Sequence, residues 1–222
     1  MEFMNIRLNF PSLRFQFILL LTSFVFSALS YFYLDQYLAV FFAQERLKNL
    51  WQMARSTTNI GLASHYFIFS IVLLVFLKWI APKIQHLKKY SEKINYYKKW
   101  SYYFLISLIS SGLVLQIFKF IFGRQRPHKT DPLFEPYHFT FFENHWDFHS
   151  FPSGHSQVMF TVATMLMFLW PKLRWYFFGF AFLISFTRVM THSHFLSDVI
   201  IGSLLGYLVT VWTCYYLERR VR

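Results

Sequence analysis

Two histidines stand at the ends of apolar segments, each with polar company at a fixed spacing. His155 closes Pro152-Ser153-Gly154-His155, immediately ahead of the apolar run Val158 to Trp170. His194 lies in "FTRVMTHSHFLSDVI", with Arg188 six residues before it and Asp198 four after. If a helix starts near His194, residues four apart share a face, so Asp198 is placed to accept the proton on one imidazole nitrogen and orient the other. A third polar set, "KFIFGRQRP", puts Lys119, Arg124 and Arg126 at the end of another apolar segment.

The residue types name a ligand. Guanidinium forks match phosphate oxygens in pairs, lysine adds a point charge, and backbone N–H groups at a helix start favour an anion. Lys119, Arg126 and Arg188 together with a Ser-Gly turn therefore suit phosphate or another tetrahedral oxyanion. With two histidines, one can attack phosphorus while the other protonates the leaving oxygen. Ser153 and the amide of Gly154 would hold the phosphate, glycine because the backbone must approach closely, and His155 is then placed for proton transfer.

The elements that must position these groups are apolar. Of 222 residues, 55% are hydrophobic, 23% aromatic and 14% charged, well below the quarter or so charged residues of a soluble domain. An integral membrane protein is expected. About six stretches approach the ~20 apolar residues a spanning helix needs: Phe15 to Leu34, Leu62 to Ala81, Tyr102 to Phe122, Gln157 to Trp170, Trp175 to Met190 and Leu196 to Tyr216. The fourth and fifth are short, which packing against protein or local thinning of the bilayer accommodates. Between the first two, "LDQYLAVFFAQERLKNLWQMARST" reads as one amphipathic helix lying in an interface, since a span there would bury Glu45, Arg46 and Lys48. "HLKKYSEKINYYKKW" reads as a basic, solvated linker near anionic headgroups. The expected fold is all-α and polytopic, a single transmembrane domain over residues 1–222.

Charge sets the orientation. Arg7 and Arg14 precede the first span, lysines from Lys78 to Lys99 follow the second, Lys172 and Arg174 join the fourth to the fifth, and Arg219, Arg220 and Arg222 close the chain. All fall on one face, which the positive-inside rule assigns to the cytoplasm. Both termini are then inside, and segments 35–60, 123–156 and 190–195 outside. The N-terminus has signal-peptide features, including Ala28 and Ser30, but Tyr31 to Leu34 continue the apolar run, so it is read as an uncleaved span. On the outer face the same bias disfavours cations, so topology alone does not account for Lys119, Arg124 and Arg126.

Several other readings lose ground. The net charge of +12 sits on the flanks of apolar spans rather than on a soluble basic module, which argues against nucleic acid. A single cysteine, Cys214, builds neither a disulfide framework nor a thiolate metal site from this chain alone. A transporter would spread polar groups through the depth of several spans, whereas apart from scattered Ser and Thr the polar set gathers at the outer end. His128, His138, His145 and His149, with Glu143 and Asp147, match no zinc spacing, and the surrounding Phe and Tyr favour headgroup or interfacial contact. Mutual pairing of Arg188 with Asp198 is the plain structural alternative. His192 reads as a surface neighbour, and Arg124 as an outward cation for a second phosphate, a sugar headgroup or a lipid phosphate at the rim.

These motifs resemble the type 2 phosphatidic acid phosphatases, a family related in fold to the vanadium haloperoxidases. Its signature is Lys, six residues, Arg-Pro; then Pro-Ser-Gly-His; then Ser-Arg, five residues, His, three residues, Asp. Here it reads Lys119 to Arg126-Pro127, Pro152 to His155, and Thr187-Arg188 to His194 and Asp198, with Thr187 for serine as the sole departure. The resemblance implies a haloperoxidase-like phosphatase core in which His194 is the nucleophile forming a phosphohistidine, Asp198 orients it and His155 is the general acid. Lys119, Arg126, Arg188, Ser153 and Gly154 would hold the phosphoryl oxygens. It implies no metal, no cofactor and no obligate protein partner, and a lipid phosphate or diphosphate substrate. "GRQRP" and "HSFPSGHS" look like the bacterial enzymes acting on undecaprenyl diphosphate, phosphatidylglycerophosphate or lipid A, which implies a bacterial inner membrane with the site facing the periplasm. A phosphotransferase passing the phosphate to another lipid uses the same residues.

Overall fold

The computed structural model describes residues 10–130 and 132–221, and among them the regular structure is helical apart from an isolated bridge between Arg124 and Phe139. Helix α1 (Leu13–Leu29) is capped by Ser12, whose hydroxyl accepts from the Phe15 amide. It runs through a wide turn (Ser30–Leu34) directly into α2 (Asp35–Phe42). Then follow α3 (Lys48–Thr57), a tight turn (Thr58–Gly61), α4 (Ala63–Val75), α5 (Ser91–Phe122), α6 (Gly154–Leu169), α7 (Arg174–Met190) and α8 (Leu196–Val221). Helices occupy all the segments expected to span. Among the described residues, four stretches are long and apolar enough to cross a membrane, namely Leu13–Phe42, Glu45–Lys83, Gln85–Phe122 and Leu196–Arg220, and Gly154–Leu169 is a shorter apolar helix. Phe17, Leu113, Leu183 and Trp175 point outward, as lipid-facing side chains do.

Helix α6 is central, packed against α5, α7 and α8, while α1 lies along α8 and α4 along α5. One end of the bundle is filled by Trp100, Tyr103, Met165, Phe168, Tyr207 and Val211 around Cys214. Towards the other end two glycines of α8 let backbones touch. A Cβ at Gly202 would lie 2.4 Å from the Ser153 carbonyl oxygen, and one at Gly206 2.2 Å from that of Gln157. Small residues one turn apart are the usual means of close helix approach in a membrane. Here they draw the first turn of α6 against α8, and the Ser153 amide donates to the Asp198 carbonyl at 3.0 Å.

Two expectations need correction. The segment expected as one amphipathic helix is broken at Ala43 and Gln44: α2 continues the first span and only α3 is separate. Asp35, whose carboxylate is buried and bonded to Ser30 and to the Ser197 amide of α8, ties the start of α2 to the bundle. The basic linker, in turn, is helical from Ser91 onward and extends α5. Tyr96 and Trp100 stack edge to face within it, and Lys99 pairs with Glu218 of α8 at 2.7 Å, so this stretch has an apolar face and a partner. Arg7 and Arg222, used in orienting the chain, lie outside the described residues.

Candidate active site

Helix α5 ends at Gly123, whose φ of +50° is left-handed, and whose amide donates to the Lys119 carbonyl at 2.9 Å. Only glycine fits, because a Cβ there would sit 1.7 Å from the Thr140 carbonyl oxygen. This stop leaves Lys119 in the last turn and sends Arg124 and Arg126 back across the bundle. The loop that follows crosses this end of the bundle and delivers Ser150, Ser153 and the start of α6.

A cavity of about 480 Å³ opens there, and six of the eight expected residues line it: Lys119, Arg126, Gly154, His155, Arg188 and His194. Its wall continues between α4 and α5 along Leu62, Phe67, Ile109 and Leu113, an apolar flank beside a cationic floor. The Lys119 ammonium donates to the His149 carbonyl. Arg126 donates to the carbonyls of Trp146 (3.3 Å), Ser193 (3.2 Å) and His149 (3.3 Å), and lies 4.3 Å over the Trp146 ring. Arg188 donates from Nη1 to Thr58 at 3.2 Å, while its buried Nε has no hydrogen-bond partner among the described residues. Buried N–H groups are rarely left so, and this one is available to an oxyanion.

The remaining two residues stand behind the cavity. Ser153 caps α6, its hydroxyl accepting from the Ser156 amide (3.5 Å) and hydroxyl (2.9 Å), so it fixes the helix start. Asp198 is fully buried and lies 3.7 Å from His194 Nδ1, beyond hydrogen-bonding distance. The direct bond expected from the spacing is absent because the carboxylate is already engaged: Oδ2 accepts from the Ser150 hydroxyl (2.6 Å) and the Phe195 amide (2.9 Å), and Oδ1 from Arg124. His194 Nδ1 instead meets the Ser150 carbonyl at 2.7 Å. A carbonyl only accepts, so Nδ1 carries the proton and the Nε2 lone pair is free. Burial first, and then Arg126, Lys119 and Arg188, hold His194 well below the ordinary histidine pKa of 6.5, so it is neutral at pH 7.

Other sequence expectations shift. Arg124 is no outward cation: it is 1% exposed and sits between Asp35 and Asp198. Arg188 is not the partner of Asp198, whose ion pair is with Arg124. His192 is more than a surface neighbour, since its ring contacts the Ala39 carbonyl at 3.0 Å and stacks on Phe134, pinning the end of α2. In the histidine-rich loop, His138 pairs with Glu135, His145 with Asp147 and His128 with the His192 carbonyl. No three His, Cys, Asp or Glu converge among the described residues. The loop reaches the cavity at Trp146, and its carbonyls at Trp146 and His149 hold Arg126 and Lys119.

Sequence reasoning missed four residues. Asp35 carried a signal, a lone carboxylate within an apolar run. Ser150, Ser197 and Gly61 carried none. Gly61 presses on the candidate acid: a Cβ there would meet His155 Cδ2 at 2.9 Å.

Apolar helices enclosing a cationic pocket beside a neutral, backbone-oriented imidazole define a membrane protein whose pocket suits a tetrahedral oxyanion. Comparison with known proteins makes the class specific. The model of the PAP2 superfamily matches residues 100–222, more than half of the chain, and the protein belongs to that superfamily. A lipid A 1-phosphatase of Rhizobium etli is 32% identical over 178 residues, covering 80% of this chain and 75% of the relative. One from Rhizobium johnstonii is 30% identical over 157 residues, covering 70% of this chain but only 64% of the relative's length. Among solved structures, Aquifex aeolicus LpxE aligns with a TM-score of 0.53 at 21% identity, over 78% of this chain and 89% of that one. A PAP2-type phosphatidylglycerolphosphate phosphatase from Bacillus subtilis aligns with a TM-score of 0.56 at 21% identity, over 92% and 96%. These two share the fold.

Proposed function

We propose that this protein is a membrane lipid phosphatase that removes phosphate from a lipid A-type phosphate through a phosphohistidine on His194, at a site facing the periplasm. The observation that carries this reading is the Nε2 lone pair of a neutral His194, with Nδ1 held by the Ser150 carbonyl at 2.7 Å, in a cavity shared with Lys119, Arg126, Arg188 and His155. Nε2 attacks phosphorus, and the bond to the leaving oxygen breaks as His155 protonates it. The imidazole becomes cationic in that step, and Asp198 at 3.7 Å offsets the charge. Water then attacks the phosphohistidine, with His155 taking its proton, and inorganic phosphate leaves.

Phosphoryl transfer asks chiefly for in-line positioning and neutralisation of the equatorial oxygens. Three cations and the α6 amides supply that neutralisation, the task magnesium performs in kinases, so the reaction is written without a metal. The apolar flank between α4 and α5 gives a lipid a route from the bilayer while its phosphate alone is gripped. Lipid A is the first substrate to test because both Rhizobium relatives are lipid A 1-phosphatases. The cytoplasmic termini are read from the charge distribution and the bacterial inner membrane from the resemblance to bacterial enzymes, and both belong to the same proposal.

The test is phosphate release by detergent-purified protein, with EDTA present, from lipid A, undecaprenyl diphosphate, phosphatidylglycerophosphate and phosphatidic acid, with His194→Ala as blank. Release from lipid A that is absent in the blank is expected. Loss of phosphate from lipid A only when an acceptor lipid is added, with the phosphate recovered on that acceptor and none released, would make the protein a phosphotransferase, and release by the blank would remove His194 from the reaction.

A further inference from the structure

Two buried charged groups are not used by the reaction as written. Asp35 opens α2, within the Leu13–Phe42 stretch and outside the part of the chain that the family model matches, and Arg124 follows α5. We propose that Asp35 and Arg124 are positioning residues for His194, acting through Asp198 and Ser150. The proposal rests on the reading of His194 as the nucleophile.

The contacts form one chain. Arg124 donates from Nε to the Pro136 carbonyl (3.1 Å), from Nη1 to Asp198 Oδ1 and to the Ser197 hydroxyl (2.7 Å), and from Nη2 to Asp35 Oδ2 (2.9 Å). Its guanidinium lies 4.3 Å from the Phe195 ring centre and 5.2 Å from that of Tyr31. Four of the five N–H donors of Arg124 are thus engaged, and Arg124 is not among the residues lining the cavity. Asp35 is held from the other side by Ser30 (2.8 Å), the Ser197 amide (2.9 Å) and the Ser197 hydroxyl.

With Oδ1 of Asp198 fixed by Arg124, only Oδ2 turns towards His194, and it accepts the Ser150 hydroxyl at 2.6 Å. Ser150 is anchored a second time, its amide donating to the Arg124 carbonyl at 2.9 Å. The carbonyl of the same Ser150 holds His194 Nδ1 at 2.7 Å. The direction of the reacting nitrogen thus depends on Ser150, Ser150 on Asp198 and Arg124, and Arg124 on Asp35. Two carboxylates and one guanidinium also leave a net negative charge behind an imidazole that must become cationic. A planar fork reaches both carboxylates at once, which a lysine ammonium does not.

The experiment measures kcat and KM of Asp35→Asn and Arg124→Lys on a lipid phosphate that the wild type hydrolyses, together with competitive inhibition by inorganic phosphate, which reports the cationic cradle. Expected is a loss of about 10- to 100-fold in kcat, the usual cost of removing a group that orients a reacting ligand, with KM and the phosphate inhibition constant within about threefold. Kcat within twofold of wild type in both variants overturns the proposal. So does loss of phosphate inhibition in parallel with kcat, because the pair would then merely hold the fold. If neither variant yields folded protein, Ser150→Ala decides: it keeps the carbonyl and loses the link to Asp198, and an undiminished kcat there overturns the proposal as well. His194→Ala is assayed alongside. Turnover retained in that variant refutes the phosphohistidine, whereas a dead His194→Ala beside a fully active Asp35→Asn refutes only the positioning chain.

Discussion

Gly61→Ala presses a methyl directly on the candidate acid. The turn carrying Gly61 packs flat on the His155 imidazole: an added methyl would lie 2.9 Å from Cδ2, 3.2 Å from Cβ and 3.3 Å from Cγ. Carbon atoms rest about 3.5–4.0 Å apart, so the ring or the turn must retreat by roughly 0.5–1 Å. The backbone at 61 is not in the left-handed region, so alanine adds no conformational strain there. Misplacing a reacting group by about 1 Å costs on the order of 100-fold, and the expected loss in kcat on a lipid phosphate is therefore about 10- to 100-fold with little change in KM. The assay pairs the lipid with a nitrophenyl phosphate, whose leaving group departs with little help from an acid, and on that substrate the loss should shrink to about threefold. Equal losses on both substrates, or none on the lipid, would refute the placement of His155 as the proton donor.

Three other perturbations read different parts of the structure. Arg126→Lys replaces a planar fork by a point charge at a site where it spans three carbonyls, and kcat should fall about 100- to 1,000-fold, the range for removing one oxyanion donor, as measured by phosphate release. Gly202→Val forces a side chain into the Ser153 carbonyl 2.4 Å away and should lower the melting temperature and abolish activity, whereas Gly179→Ala, with open space around it, should leave both unchanged in a thermal shift assay. His194 is held below its unfolded pKa, so its contribution to stability is fully present above about pH 6.5 and is lost as pH falls towards the folded value. Melting temperatures at pH 8 and pH 5 should differ in the wild type, and by less in His194→Gln.

Much of the helical layout was legible because apolar runs of spanning length admit few alternatives in a bilayer. The start of α5 was not: its Lys- and Tyr-rich first turns look solvated until Glu218 of α8 is seen beside Lys99. The anchoring of α2 to the bundle was likewise invisible, since it depends on what Asp35 meets 89 residues away, at Arg124. In the site, Lys119, Arg126, Arg188 and the two histidines stood out because ionisable groups in apolar segments are conspicuous. Their supports did not. The groups that orient His194, Lys119 and Arg126 are carbonyls of Ser150, His149, Trp146 and Ser193, and a backbone oxygen has no signature in the residue that bears it. Asp198 shows the limit of spacing arguments: four residues bring it to 3.7 Å from His194, and competition from Ser150, Phe195 and Arg124 decides what it bonds.

The most direct measurement is capture of the covalent intermediate. Protein is mixed with lipid A labelled in its phosphate, quenched in alkali within the first turnover, and mapped by peptide mass spectrometry, with His194→Ala and His155→Ala in parallel. The expected result is an acid-labile, alkali-stable label on His194, absent from His194→Ala. In His155→Ala it should accumulate from a nitrophenyl phosphate, because formation needs little acid there and hydrolysis still needs the base. Steady phosphate release by the wild type with no label on His194 in either the wild type or His155→Ala would contradict the account.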